Sequence, residues 1–164
     1  MSTDDKLKKC LKEGEKGERH KGLRKIEKSN ILAKGYLDKA IHNFRAMSDF
    51  QRIGYSDWSA SASFYCLYHC LLALLAKEGY ESRNQSCTFA LVESMIEKFS
   101  ITKEELKEIF DKDVTEDLQH SEKILDVREN MQYSIKTTLE QEEFMKLKEK
   151  TKRLFDKLRK DIER

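Results

Sequence analysis

None of the 164 residues is proline. Proline removes a backbone donor and clashes with the preceding turn, so it is the residue that most often cuts a helix short. At average usage about eight would be expected in a chain of this length, and their absence makes long, uninterrupted helices the leading expectation. Charged residues and hydrophobic residues each contribute 38%, which suits amphipathic helices with solvated outer faces. The same figures exclude collagen, low-complexity disorder and a disulfide-dense scaffold. A formal net charge of +2 excludes a strongly basic nucleic-acid coat but leaves room for a local basic groove. Such a chain is one domain able to remove roughly two-thirds of its unfolded surface from water. The longest apolar run, Phe64 to Ala76, contains His69 and is too short to span a bilayer. Residues 1–30 carry Lys and Arg without an apolar leader. Cys66 and Cys70 stand one helical turn apart, and the four cysteines make no disulfide framework. The expectation is a soluble, reduced, cytoplasmic protein with no membrane segment.

Residues 1–28 hold ten Lys or Arg against six Asp or Glu, with three of the six glycines, and only Leu7, Cys10 and Leu11 give an apolar face. This composition predicts a frayed or poorly ordered basic lead-in, followed by a helical domain over 29–164. Ser29 is placed to cap a helix carrying Leu37, Ala40, Ile41, Phe44 and Met47. Gly54 and Ser56-Asp57 break the chain before a second helix, Trp58 to Lys77, apolar nearly all round and so the most buried. Gly79 suits a left-handed cap. Leu91, Val92, Met95, Ile96 and Phe99 mark a third helix, and Thr102 with Glu105 makes a capping box for a short one. A fifth is predicted from about Thr115 to Ile135 with the stripe Leu118, Ser121, Leu125, Arg128, Gln132, Ile135. A last one follows Phe144, Leu147, Thr151, Leu154, Phe155 and Leu158. No segment alternates with period two. The fold class is all-α, an antiparallel up-and-down bundle of four to five helices plus a short extra helix.

Two places break this binary pattern. Tyr65, Tyr68, His69 and Cys70 lie in the helix expected to be most buried, with Tyr65 and His69 sharing a face. Either their polar tips find partners in the core, as buried Tyr and His usually do, or His69 faces a ligand or a second subunit. Arg128 interrupts the stripe of the fifth helix. A guanidinium cannot shed its charge, so there it meets a carboxylate, a phosphate or a partner's carbonyls. Cys66, His69 and Cys70 share a helix but lack the fourth ligand of a closed zinc site. There is no glycine-rich phosphate loop, no G-x-S-x-G and no H-E-x-x-H, so no metal or cofactor is expected. The acidic stretch from Glu104 to Glu116 and the mixed run from Lys146 to Lys160 read as solvated helix faces.

The run Ala62-Ser63-Phe64-Tyr65-Cys66-Leu67-Tyr68-His69-Cys70-Leu71-Leu72-Ala73-Leu74-Leu75, followed by Gly79-Tyr80 and Arg83, resembles the central helix of HEPN domains. Val127-Arg128-Glu129-Asn130-Met131-Gln132-Tyr133 resembles their second landmark, an Arg followed after four to six residues by His or, in many members, Tyr. The resemblance covers about residues 28–160. It implies a helical bundle that pairs as a homodimer, with the two Arg motifs facing across a cleft. It also implies a nucleotide or RNA ligand, no membrane association, and, for many prokaryotic members, a toxin–antitoxin pairing with a nucleotidyltransferase. Carried over, Arg128 binds phosphate, Tyr133 falls where nuclease members place His, and His69 and Tyr65 shape the cleft wall. Asn130, Gln132 and Arg83 are further candidate ligand contacts, with Gln85 in the same loop as Arg83.

In nuclease members the Arg steadies the phosphate and the His moves a proton, without metal. A Tyr titrates near 10 and a His near about 6.5, and general acid–base help is typically worth about 10²–10⁴-fold. Tyr133 therefore favours a binding module over an enzyme. His120 lies eight residues before Arg128, roughly 12 Å along a helix, too far to stand in. Relatives modified by their antitoxin carry the accepting Tyr two residues past the motif His, where this chain has Ile135. Two alternatives stay open beside the binding module. One is a metal-independent endoribonuclease with Arg128 essential and Tyr133 or His69 as the proton carrier. The other is a structural interaction bundle whose motifs pack a dimer interface.

Overall fold

The computed structural model describes residues 2–110 and 122–164. Four long helices make the body. Helix α2 (Asn30–Arg52) and helix α3 (Ser56–Glu78) form a hairpin, α6 (Ile124–Tyr133) returns along α3, and α7 (Gln141–Glu163) closes the bundle. Side-chain bonds fix the directions. Ser59 Oγ donates to Met47 O near the α2–α3 turn, whereas Ser29 N donates to Ala76 O at the far end. Leu139 N donates to Ser56 Oγ, Ser63 and Thr151 share a hydroxyl contact of 2.6 Å, and Lys77 Nζ reaches the carbonyls of Asp161, Ile162 and Arg164. Helix α7 thus runs beside α3 in the same direction and opposite to α2. The bundle is all-α and up-and-down, as its sequence predicts.

Helix α3 is the axis of the core. Phe64, Leu67, Leu71, Leu74 and Leu75 are fully buried, with Met47, Leu154 and Leu158 packed from the neighbouring helices. Alone it is long and apolar enough to cross a membrane, but 83% of that apolar stretch is buried inside the bundle. Its expected start at Trp58 is two residues late, and Trp58 itself is exposed. The local signals act as expected. Ser29 Oγ accepts from Leu32 N, Thr102 and Glu105 form a capping box on α5 (Lys103–Ile109), and Gly79 caps α3 at φ +89°, where a side chain would be strained. Phe144, Leu147, Thr151, Leu154, Phe155 and Leu158 are all buried on α7.

Five expectations are corrected. The lead-in is not frayed. It forms helix α1 (Thr3–Gly14) and strand β1 (Leu23–Lys25), which pairs antiparallel with β2 (Tyr80–Ser82) in the register Leu23↔Ser82, Arg24↔Glu81, Lys25↔Tyr80. Three-residue strands are too short to leave a period-two signature. Nor are all four cysteines reduced, because Cys10 on α1 is bonded to Cys87 on α4 (Gln85–Ser94), across a separation of 77 residues. The third helix stops at Ser94 and continues as a 3-10 turn, Ile96–Lys98.

The fifth helix differs most. Its expected first part, with Thr115, Leu118 and Ser121, lies outside the described residues, as does His120. The described part, α6, ends at Tyr133, and its buried residues are Ile124, Asp126 and Met131, whereas Gln132 is exposed and Ile135 is 100% exposed beyond the helix. The acidic face of α5 is not wholly solvated either. Glu105 is buried and takes Lys157 Nζ at 2.7 Å and Arg153 Nη1 at 3.1 Å from α7.

Candidate functional site

Arg128 projects from α6 onto the aromatic side of α3. Its guanidinium carbon lies 4.5 Å from the Phe64 ring centroid and 5.6 Å from that of Tyr65. Nη1 donates to Tyr65 Oη at 3.0 Å. Among the described residues no carboxylate pairs with it, and its Nε is buried with no hydrogen-bond partner. Two π-faces attract the charge, and one phenol oxygen accepts one of its five N–H groups. The site therefore presents a fixed cation with donor capacity left over. Among the described residues, then, aromatic faces and one phenol oxygen hold Arg128, and no salt bridge does.

One turn along α3, His69 joins the same surface. Its Nδ1 lies 2.6 Å from the Tyr65 carbonyl, so Nδ1–H donates there, which leaves Nε2 as the acceptor; this tautomer is assigned from the hydrogen-bond network. The Asn43 side-chain amide is 3.3 Å from the same Nδ1. The ring is stacked on Tyr36 at a centroid separation of 6.2 Å and stands 6.1 Å from Tyr65. Burial lowers the His69 pKa, the Tyr65 carbonyl bond opposes that, and the Lys39 charge lowers it further, with a net fall below the ordinary value. His69 is thus a neutral imidazole near pH 7, with a lone pair on Nε2.

The wall beyond Tyr36 is built by β2 and the turn after it. Arg83 Nε lies 3.3 Å from Glu81 Oε1, and the same oxygen contacts His20 Nε2 at 2.8 Å. His20 Nδ1 accepts from Gly22 N, so Nε2 carries the proton toward Glu81. Burial and the Glu81 charge raise the Tyr36 hydroxyl pKa, while Arg83 pulls it down; the net shift is upward. Tyr36 is therefore a neutral phenol at any physiological pH.

Of the residues singled out from sequence, Arg128, Tyr65 and His69 are brought together, and Arg83 stands on the adjoining wall. Tyr133, Asn130 and Gln132 are not joined to them within one chain. Tyr133 is 77% exposed at the end of α6. Five residues of α-helix turn it about 140° away from Arg128 at 3.6 residues per turn. Cys66 and Cys70 are free and buried, and among the described residues no group of three or more His, Cys, Asp or Glu is placed to hold a metal. Sequence reasoning missed Tyr36, Lys39 and Asn43. Steps of three and four place all three on one face of α2, the face turned to His69, but in the sequence that polar face looks like a solvated one.

Comparison with curated proteins and with solved structures finds no match. The family model for the HEPN domain matches residues 33–161, from the first turns of α2 to the end of α7, and so takes in Tyr36, Tyr65, His69, Arg83 and Arg128. The chain belongs to the HEPN domain family.

Proposed function

We propose that this protein is a nucleotide- or RNA-binding module whose phosphate contact is Arg128. Family membership supports a nucleotide- or RNA-related module, and the observation that carries the finer reading is a guanidinium that, among the described residues, has Tyr65 Oη as its hydrogen-bond partner and no paired carboxylate. A phosphate oxygen suits the Nη donors that Tyr65 leaves unused, and Arg binds phosphate through paired N–H donors better than any other side chain. Tyr36, Tyr65 and His69 offer aromatic faces on which a base can stack, with Lys39 and Arg83 adding positive charge at the edge. Few cations take part, so affinity is modest and its salt dependence shallow.

In the same reading the functional unit is a homodimer in which Tyr133, Asn130 and Gln132 approach the partner's Arg128 cleft. The exposure of Tyr133 supports it, the residue being 77% exposed at the end of α6. A nucleotidyltransferase partner and a cytoplasmic setting complete this proposal. Isothermal titration of wild type and Arg128→Ala with a short single-stranded RNA tests the binding claim. Heat from the wild type alone is the expected result, and equal heats would sink it.

The second reading, a metal-independent endoribonuclease, is favoured by one observation, the lowered His69 pKa. A neutral imidazole with Nε2 open can take the proton of a ribose 2′-hydroxyl as that oxygen attacks the adjacent phosphorus. Arg128 would stabilise the charge on the phosphoryl oxygens, and the 5′-oxygen would leave as its bond to phosphorus breaks, taking its proton from water. Cleavage of an RNA panel in EDTA separates the readings. Activity that disappears in both Arg128→Ala and His69→Gln makes the protein an enzyme, and intact RNA under all conditions keeps it a binding module.

A further inference from the structure

We infer that the Cys10–Cys87 bond is a redox latch, which fixes the arm formed by α1 and β1 against the wall of the Arg128 site and so tunes ligand affinity. This rests on the reading of that site as a phosphate-binding one. The arm lies outside the residues that the HEPN family model matches, and its β1 end is anchored by buried Leu23 and His20 while α1 buries little. Only Cys10 and Gly14 of α1 are buried. The helix meets the strand backbone to backbone, so that a Cβ on Gly14 would stand 1.7 Å from Leu23 O and one on Gly22 would stand 2.2 Å from Cys10 O. Helix α1, with Leu7 and Leu11 only half-buried against the core, is the part of the arm that opens first once its tie is cut. The Cys10 and Cys87 Cα atoms are 5.9 Å apart, within the ordinary span of a disulfide.

Two routes lead from the latch to the site. Through the arm, Arg83 N donates to Gly22 O and Ile26 N to Gly79 O, and His20 holds Glu81, the carboxylate that orients Arg83. Through α4, Thr88, next to Cys87, shares a hydroxyl contact with Tyr68, and Phe89 packs on Tyr68 and on Phe64, of which Phe64 is a ring beneath Arg128. Opening the bond takes two electrons and two protons from a dithiol reductant. Each sulfur becomes a thiol, and the reductant closes to its own disulfide. The reduced protein frees α1, the β1–β2 pairing frays, and Glu81 and Arg83 lose their fixed positions. The oxidised form is the tighter binder. Cys66 and Cys70 take no part, since both are buried, and burial pushes the Cys70 thiol up, away from the reactive thiolate.

The test compares the full-length protein oxidised with glutathione disulfide and reduced with dithiothreitol, with Cys10→Ser/Cys87→Ser as a second unlatched form. The first readout is amide hydrogen exchange. On reduction the Ile26 and Arg83 amides are expected to exchange about tenfold faster, while the α3 amides stay protected and so show that the bundle is folded. The second is the Kd for a short single-stranded RNA, expected to weaken about tenfold. The latch is overturned if glutathione disulfide leaves Cys10 and Cys87 unbonded, if Ile26 and Arg83 exchange equally in both forms, or if bound RNA shows one Kd in both. Failure of RNA to bind either form would overturn the Arg128 assignment instead, and the exchange rates would still decide the latch.

Discussion

The α3–α7 seam and the α3–α6 seam bury polar groups side by side but treat them differently. Along α7, polar atoms have protein partners. Ser63 meets Thr151, whose hydroxyl also reaches Leu147 O, and Asp161 takes both Ser100 N and Ser100 Oγ. Along α6, Arg128 keeps a buried Nε with none among the described residues. A buried polar group without a partner costs about 1–3 kcal/mol, and a chain that satisfies polar groups a few residues away is capable of satisfying this one. The contrast separates groups held for the fold from a group held for a ligand, and mutations at the two seams should diverge accordingly.

The largest effect belongs to the shared core. Leu71→Ala is expected to lose about 3 kcal/mol in urea denaturation, because Leu71 is fully buried; a loss below about 1 kcal/mol would mean that α3 is not the axis described. On the satisfied seam, Thr151→Val leaves the Ser63 hydroxyl without its partner and should cost about 1–2 kcal/mol, much of it regained in the double variant with Ser63→Ala. On the unsatisfied seam, Arg128→Met keeps the stem over the Phe64 and Tyr65 rings and removes the orphaned donor. Its stability should lie within about 0.5 kcal/mol of wild type or above it.

Acid sharpens the same contrast. Burial would raise the Glu105 pKa, but Lys157, the Thr102 amide and Arg153 outweigh it and hold the carboxyl below its usual value. A depressed carboxyl contributes stability that is present above its unfolded pKa and is lost as pH falls through the folded one. Glu105→Gln should therefore cost about 1.5 kcal/mol near pH 7, with the gap to wild type closing in denaturation curves taken at progressively lower acid pH. His69 follows the same sign, its folded pKa being lowered. Wild-type stability should fall as pH drops below about 6.5, the ordinary histidine value, by a small amount that His69→Gln abolishes. The smallest effect is at Tyr133, whose removal to Ala should change monomer stability by less than about 0.5 kcal/mol.

What was legible in the sequence follows from the range of the interactions. Ser29, Thr102 with Glu105, and Gly79 act on residues no more than a few positions away, and each occupies the cap its type and spacing predict. The arm was not legible, because what orders it is far off in sequence. Cys10 finds Cys87, His20 finds Glu81, and β1 finds β2. The stripe through Gln132 and Ile135 failed where α6 stops at Tyr133, with no proline or glycine to announce the end. At the site, Arg128 stood out as a charge on an apolar face and Tyr65 and His69 as polar tips in an apolar helix. Tyr36 and Asn43 were hidden because a polar face on a surface helix looks the same whether it meets solvent or a histidine.

The central claim is that Arg128 is held for a ligand and not for the fold. The measurement that tests it most directly is a paired one on Arg128→Met, urea stability beside the Kd for a short single-stranded RNA. Unchanged or raised stability with binding reduced at least about tenfold, the loss of roughly one charged hydrogen bond, is the result the account predicts. Stability lost by several kcal/mol with RNA affinity unchanged would contradict it and return Arg128 to the packing of the bundle.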